Sequence, residues 1–147
     1  MKLTVELVPS TSWGNNLRKE ANLSKNEWDA LRKASYKKAG YKCEICGGKG
    51  NKHPVECHEI WEYDDSSKTQ TLKGLISLCP PCHKVKHLGF AFSQGADVFT
   101  KSVDHLISVN DLSPQEALDY VLSVFEQHTI RSQYDWHLDL SWLETQK

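Results

Sequence analysis

Four cysteines stand at the spacing of a metal site in this chain of 147 residues. They form two Cys-x2-Cys pairs, Cys43/Cys46 and Cys79/Cys82. Four thiolates in two such pairs are the donor set of a structural zinc ion, whose tetrahedral coordination is then complete. Buried free thiols are the alternative, but two identical spacings beside glycine and proline turns favour zinc. The fifth cysteine, Cys57, is predicted to be a small core residue.

Three histidines lie near these cysteines and exceed what one zinc ion needs. His83 and His87 are four residues apart, so on a helix both would face the same side. His58 lies on a predicted strand between the two cysteine pairs. Three imidazoles leave coordination positions open for water and a substrate oxygen, as a catalytic site requires. The alternatives are a zinc ribbon with incidental histidines, or a histidine that replaces one thiolate.

Around these residues the sequence resembles the HNH endonuclease family, whose fold is the ββα-metal core. Three segments carry the resemblance: Cys-Glu-Ile-Cys at residues 43–46, Val-Glu-Cys-His-Glu-Ile-Trp at residues 55–61, and Gly-Leu-Ile-Ser-Leu-Cys-x2-Cys-His-x3-His at residues 74–87. Together they cover residues 43–87. The resemblance implies a four-cysteine zinc knuckle that braces the fold. It also implies that His83 is the final HNH histidine and His87 the extra metal ligand of the colicin-type members.

Two positions bear on how far the family pattern transfers. Gly74 stands where the family has its asparagine, so the side-chain amide of that position is missing. The family has a metal ligand and a general base in the two positions of a pair before Ile60, and this pair can be matched to the sequence in two registers. In one, His58 is a metal ligand and Glu59 the general base; in the other, Cys57 takes the ligand position and His58 becomes the base. An imidazole is the more natural base near neutral pH, but three histidines are the more natural ligand set, which slightly favours the first register.

The resemblance implies hydrolysis of DNA phosphodiester bonds with a single catalytic ion. His58, His83 and His87 would hold this ion, one of Mg2+, Mn2+, Ni2+ or Zn2+, while a structural Zn2+ occupies the cysteines. The ion would contact a nonbridging oxygen and the leaving 3'-oxygen, and Glu59 or His58 would activate the attacking water. The predicted catalytic residues are therefore His58, Glu59 and His83. The products would carry 5'-phosphate and 3'-hydroxyl ends.

Charge is unevenly distributed along the chain, although the formal net charge is -1. Residues 1–52 hold 11 Lys/Arg against 5 Asp/Glu, whereas residues 91–147 hold 3 against 9. A basic half favours an anionic partner such as DNA, and the alternative is two solvated faces of opposite sign. Cations near the core would contact phosphates without reading the base sequence. The candidates are Arg18, Lys19, Arg32, Lys37, Lys38, Lys49, Lys52, Lys84 and Lys86.

Capping signals and hydrophobic periodicity predict the elements that position the metal ligands. Residues 24–27 form a Ser-x-x-Glu capping box, which starts a helix that ends near Gly40. Residues 55–61 and 72–78 are predicted strands, joined by a polar loop. A proline opens a helix over residues 80–87. This order places one histidine on a strand and two on the helix that follows.

The flanking segments carry weaker signals. Residues 3–7 alternate apolar and polar side chains, which predicts a first strand. Residues 113–116 combine a capping serine, a proline and a capping-box glutamate, which predicts a helix start. Residues 136–140 alternate again and could pair with the first strand. The helix after residue 113 has a predicted buried stripe of Leu118, Val121, Leu122 and Phe125.

These elements predict an α+β protein, and the resemblance implies a ββα-metal core that the four-cysteine zinc site braces. N-terminal and C-terminal helices and short terminal strands flank this core. The length suits a single domain over residues 1–147, with the core at residues 43–89 and extensions at residues 1–42 and 90–147. No apolar run approaches the roughly 20 residues of a membrane span, so no membrane partner is expected. The odd cysteine count and the missing secretory signal indicate a reducing, cytoplasmic setting.

Two other functions compete with an active nuclease. Gly74 and the ambiguous base also fit a catalytically decayed HNH-like zinc module that binds nucleic acid. A protein-binding zinc domain without a nucleic-acid role is disfavoured by the basic half and the three spare histidines. The sequence leaves DNA specificity, nicking versus double-strand cleavage, and oligomeric state open.

Overall fold

The computed structural model describes residues 1–14 and 17–147 of the chain. Within these ranges the protein is α+β, as predicted, with helices packed around a small three-stranded sheet. No helix in this part of the chain combines the length and the apolar character that crossing a membrane requires. In chain order the elements are α1 (Leu17–Glu20), α2 (Lys25–Lys38), β1 (Glu56–Asp64), β2 (Thr69–Leu78), α3 (Pro80–Lys86), α4 (Leu88–Ser93), α5 (Ala96–Asn110), α6 (Pro114–Arg131) and β3 (His137–Asp139).

Both predicted capping boxes form and set the starts of α2 and α6. Ser24 accepts a hydrogen bond from the backbone N–H of Glu27, whose side chain accepts one from Ser24 in return. The same reciprocal pair joins Ser113 and Glu116. After α2 the chain turns at Gly40, whose φ of +65° suits a residue without a Cβ. The helix boundaries on either side of the metal core were therefore predictable from local sequence.

The sheet is built on an antiparallel pair, β1 and β2, with β3 added parallel to β2. In the β1–β2 register His58 lies opposite Ile76, and Glu59 lies opposite Leu75. The register shifts between Ile60 and Trp61, where β2 carries an extra residue. Since side chains alternate along a strand, His58 and Glu59 point to opposite faces of the sheet.

Two hydrophobic clusters cover the two faces of the sheet. The larger cluster lies between the sheet and α3 to α6, and Ile76 packs against it. The smaller cluster contains Leu72 and Leu143, with Leu75 and Trp61 packed against it. The face that carries His58 therefore belongs to the larger cluster and the face that carries Glu59 to the smaller one. The fully buried side chains of the larger cluster are Leu3, Leu78, Cys82, Val85, Leu88 and Leu106.

The predicted first strand over residues 3–7 is wrong. The segment is extended, but its amide groups bond to other elements instead of a neighbouring strand. Leu3 N donates to Asn110 Oδ1 at 2.9 Å, and Val5 N donates to the Tyr120 hydroxyl at 2.8 Å. Glu6 N donates to the carbonyl of Lys86 at 3.1 Å. The alternation of residues 3–7 therefore reflects a chain docked against helices.

The C-terminal predictions also need correction. The strand over residues 136–140 is shorter, His137–Asp139, and it pairs with β2 and not with the N-terminal segment. In α6 the predicted stripe is partly wrong, because Leu118 and Leu122 are 51% and 60% exposed. The buried positions of that helix are Ala117 and Val121. The helix is rotated relative to the predicted stripe, so a row of leucines faces outward.

Candidate metal centres

The four cysteines of the two Cys-x2-Cys pairs converge on one point. Their Sγ atoms all lie within 4.8 Å of one another, and those of Cys46 and Cys79 are 3.5 Å apart. Sulfur atoms around a tetrahedral zinc ion with Zn–S of about 2.3 Å lie roughly 3.8 Å apart. The cluster therefore has the dimensions of a four-thiolate zinc site.

Tight turns hold the first cysteine pair in this geometry. Backbone N–H groups of Cys46 and Gly48 approach the Sγ atoms of Cys43 and Cys46 at 3.5 and 3.4 Å. A Cβ at Gly50 would lie 2.3 Å from the carbonyl oxygen of His53, so this close turn admits only glycine. The amide groups at the turn favour thiolates, as in a metal knuckle.

The start of α3 supplies the second pair. Cys79 is the N-cap of α3, Pro80 occupies its first turn, and Cys82 lies one turn further on. Burial raises the pKa of Cys79 to about 11 and shifts the pKa of Cys82 upward as well. Burial also acts on Cys43, but backbone N–H groups outweigh it and lower the pKa of that thiol to about 7. A bound divalent cation would displace the remaining protons, because metal ligation and deprotonation are coupled.

The three predicted histidines converge at a second point. Candidate ligand nitrogens of His58, His83 and His87 all lie within 4.8 Å of one another, and the Nε2 atoms of His83 and His87 are 3.2 Å apart. Imidazole nitrogens that share an ion at about 2.0–2.1 Å lie roughly 3–3.5 Å apart. His58 is buried on β1, while the other two are at the end of α3 and more accessible. The donor set fits one transition-metal ion with solvent access.

Two carboxylates that sequence reasoning missed hold these histidines. Glu56 Oε1 lies 3.1 Å from Nδ1 of His83, and Glu6 Oε2 lies 2.8 Å from Nε2 of His58. A ligating histidine commonly donates its other ring N–H to a carboxylate, which fixes the ring and its tautomer. Glu56 was within the family-like segment, but no signal linked Glu6 to a histidine 52 residues away.

Glu6 is itself held by a buried lysine. Lys86 Nζ donates to Glu6 Oε1 at 2.7 Å and to the hydroxyl of Thr4 at 2.9 Å. Burial would raise the pKa of Glu6, but hydrogen bonds with His58 and Lys86 outweigh it and hold that pKa at about 2. Lys86, Glu6 and His58 therefore form a hydrogen-bonded chain, which we call the Lys86–Glu6–His58 relay.

His83 and His87 favour the neutral form in which imidazole binds metals. Burial lowers the pKa of His83, although the carboxylate of Glu56 opposes the shift. Burial and the neighbouring imidazoles lower the pKa of His87 to about 4. At neutral pH both rings have a lone pair available for an ion.

Glu59 and Cys57 are not brought to this cluster. Both side chains lie on the face of β1 opposite His58, and Glu59 Oε2 accepts a hydrogen bond from Trp61 Nε1 at 3.2 Å. Burial raises the pKa of Glu59 and raises that of Cys57 to about 11. The position of Glu59 argues against its predicted role as base, and that of Cys57 against the alternative ligand register. Cys57 is half-buried, so it is less enclosed than a core residue.

Gly74 lies opposite Ile60, at the point where the β1–β2 register shifts. A Cβ at this position would lie 3.9 Å from ring atoms of Trp142, which packs on the smaller hydrophobic cluster. The three atoms nearest to this Cβ all belong to Trp142 and not to a histidine.

The predicted phosphate-binding cations fall into two groups. Lys86 is 4% exposed and forms an ion pair with Glu6, so its ammonium group is not available to a DNA phosphate at the surface. Arg32 Nε donates to Asp29 at 2.9 Å from a half-buried position on α2. The remaining predicted cations are exposed: Arg18, Lys19, Lys37, Lys38, Lys49, Lys52 and Lys84.

Comparisons with protein-family models, with curated proteins and with solved structures each find no match to this chain. The arguments for its function therefore come from the geometry of the two clusters.

Proposed function

We propose that the protein is a metal-dependent endonuclease that hydrolyses DNA phosphodiester bonds through an HNH-type ββα-metal core formed by β1, β2 and α3. The observation that carries the proposal is the convergence of three imidazoles beside a separate four-cysteine cluster. Four thiolates complete a structural zinc site, whereas three histidines leave positions for water and substrate. One cluster would therefore stabilise the fold and the other would perform the chemistry.

His58, His83 and His87 would hold the catalytic ion. When bound, this ion would acidify an attacking water and neutralise charge on a nonbridging oxygen and on the leaving 3'-oxygen. Glu56 accepts the Nδ1–H of His83 and so presents Nε2 to the ion. Glu6 orients His58 in the same way from the other side. No base at Glu59 is needed in this scheme, because the metal-bound water has a lowered pKa.

The four-cysteine cluster would act through α3. Zinc bound by Cys43, Cys46, Cys79 and Cys82 would fix the start of α3 to the knuckle turn. Since His83 directly follows Cys82, this clamp would also set the position of the first helical histidine. The folding free energy supplied by structural zinc would thus maintain the geometry of the catalytic site.

DNA would be held by its phosphates. Lys84 borders a cleft that His83, His87 and Glu56 also line, so its ammonium group would lie near the phosphate of a substrate at the ion. Lys37 and Lys38 lie at the C-terminal end of α2 and are exposed. Such contacts give salt-dependent affinity without sequence specificity.

A catalytically decayed zinc module that binds nucleic acid is the second candidate. The observation that favours it is the absence of the expected base, since Glu59 faces the smaller hydrophobic cluster. This module would keep the zinc clamp and the exposed cations, and it would bind DNA without cutting it.

Incubation with supercoiled plasmid separates these functions. Protein loaded with one equivalent of zinc is incubated with plasmid and Mg2+, Mn2+, Ni2+ or further Zn2+. The nuclease proposal expects nicked or linear plasmid with at least one ion, and 5'-phosphate and 3'-hydroxyl ends. If no ion supports cleavage but gel shifts show salt-sensitive DNA binding, the decayed module is correct.

A further inference from the structure

An apolar cleft of about 510 Å³ opens directly beside the histidine cluster. Glu6 and His87 form its border with the metal centre, and Leu7 and Val8 line it from the N-terminal segment. The proposed hydrolysis does not use this cleft, although a substrate at the ion would lie next to it. We call it the aromatic cleft, because Trp13, Phe90 and His128 also line it.

Trp13 is exposed and yet held in place. Its indole Nε1 donates to the carbonyl of Val8 at 2.7 Å, and its ring stacks on His128 with centroids 5.9 Å apart and planes 20° apart. The residue remains 68% exposed. A large aromatic ring fixed by two contacts but left open to water presents a ready surface for stacking.

Phe90 stands at the boundary between the aromatic cleft and a charged one. It is 66% exposed on α4, the helix that directly follows His87. The charged cleft, of about 460 Å³, is lined by Lys84, His83, His87 and Phe90. A chain that crosses His87 would therefore have a cation on one side and aromatic rings on the other.

We propose that the aromatic cleft binds an unpaired nucleobase next to the scissile phosphate, so that the preferred substrate is single-stranded DNA. This inference rests on the proposed nuclease function. The alternation of a cation for phosphate and aromatic rings for bases is the usual surface for single-stranded nucleic acid. Bases in a duplex are stacked on their neighbours, so their faces cannot reach Trp13 or Phe90 without unpairing.

Cleavage of matched oligonucleotides tests the substrate class. The same labelled strand is supplied alone or as a duplex, and we expect the wild type to cut the single strand faster. Trp13→Ala and Phe90→Ala should each slow single-strand cleavage by about 5- to 100-fold, the range of losing one base-stacking contact. Trp13→Ala, which lies outside the charged cleft, should leave cleavage of the duplex unchanged. Trp13→Phe, which keeps a ring, should restore much of the rate.

Phe92 supplies the matched control. It lies on the same helix as Phe90 and is 64% exposed, but it packs edge-to-face on Phe99. Phe92→Ala should cut both substrates as the wild type does. The wild type should cut an oligonucleotide with an abasic site beside the cleaved bond more slowly than the intact strand. The reduction in rate should equal the one that Trp13→Ala causes with the intact strand. If the abasic strand is cut as fast as the intact one, and Trp13→Ala and Phe90→Ala cut the single strand as fast as the wild type, the stacking site is wrong. The proposed nuclease function would be unaffected by this result.

A binding experiment keeps the two proposals distinguishable. His83→Ala retains all four cysteines and should bind substrate without turnover, so oligonucleotide affinity is measured in this background by fluorescence anisotropy. Adding Trp13→Ala should weaken the affinity for the single strand by about 5- to 100-fold and leave the affinity for the duplex unchanged. This loss would support the base site even if the wild type cleaves nothing. Equal affinity with and without Trp13 would overturn it.

Discussion

Carboxylate–histidine pairs are the residue-scale feature that gives this site its chemistry. Glu56 contacts His83 and Glu6 contacts His58, so each carboxylate holds one ring nitrogen and leaves the other free to bind an ion. The carboxylates come from β1 and from the N-terminal segment. The site therefore depends on side chains outside the family-like histidine and cysteine positions.

Glu59→Gln tests which carboxylate belongs to the site. Because Glu59 lies on the face opposite His58 and bonds to Trp61, we expect the variant to retain metal binding and cleavage within about 3-fold of the wild type. The measurement is the single-turnover cleavage rate with the preferred ion. A loss of 100-fold or more with metal binding intact would make Glu59 the general base after all.

Glu6→Gln tests the Lys86–Glu6–His58 relay. Removing the carboxylate leaves Lys86 buried without its counter-ion, so the free energy of unfolding should fall by roughly 3 kcal/mol. Affinity for the catalytic ion should fall by about 10- to 100-fold, since His58 loses its orienting partner. Denaturant unfolding and metal titration measure the two effects.

The double variant Glu6→Gln, Lys86→Met separates those effects. It removes both charges together, so most of the lost stability should return. Affinity for the ion should stay low, because His58 still lacks its carboxylate. If Glu6→Gln alone changes neither stability nor metal affinity, the relay has no role.

At the element scale, two capping boxes and the Cys-Pro pair at residues 79–80 determine where three of the helices begin. Cys79 and Pro80 start α3, while Ser24 and Ser113 start α2 and α6. These boundaries come from local chemistry. The position of α3 against the sheet, by contrast, depends on the four-cysteine cluster.

Cys82→Ser tests the clamp, with Cys57→Ser as its matched control. The first variant should lose its equivalent of zinc and lower Tm by more than about 10 °C, because zinc ligation supplies folding free energy. Cys57→Ser should keep its zinc and its Tm, since Cys57 lies on the face of the sheet opposite the two candidate metal sites. Metal analysis measures the zinc content and thermal unfolding measures Tm. Equal zinc content in both variants would mean that the cysteine cluster is not the zinc site.

Sequence patterns identified those elements whose cause is local. Capping boxes and ligand spacing depend on residues a few positions apart, and the side chains of the four cysteines and of the three histidines each come together in the structure. The alternation of residues 3–7 was misread because the bonds that replace a strand partner come from Asn110 and Tyr120, over 100 residues away. Glu6 joined the site through that same docking. The opposite faces of Glu59 and His58 follow from alternation along a strand. Which of these faces packs against α3 depends on tertiary contacts, which the sequence did not specify.

At the scale of the whole molecule, the basic N-terminal half is the expected DNA-facing side. Lys37 and Lys38 end α2, whose C-terminal turn leads through Gly40 to Cys43, the first cysteine of the four-cysteine cluster. Residues 91–147, which include the helices after α4, hold 9 Asp/Glu against 3 Lys/Arg. DNA approaching the metal centre would be steered by this asymmetry.

Lys37→Ala with Lys38→Ala tests the contribution of this end of α2. Each lost phosphate contact should reduce the magnitude of the slope of log affinity against log salt concentration by about 1. The slope of the double variant should therefore be smaller by up to about 2. Affinity at low salt should fall uniformly across DNA sequences. Lys101→Ala, in the acidic half, is the control and should bind as the wild type does. An unchanged slope in the double variant would place the DNA on another surface.

The central claim is that the three-histidine cluster is the metal centre of a phosphodiester hydrolase. The most direct test is the DNA cleavage rate of His83→Ala against wild type, both with one equivalent of structural zinc and the preferred catalytic ion. His137→Ala, an exposed histidine on β3, controls for loss of an imidazole elsewhere. We predict a loss of about 100-fold or more in His83→Ala only, the scale of removing a group that stabilises transition-state charge. Equal cleavage by His83→Ala and wild type would contradict the account.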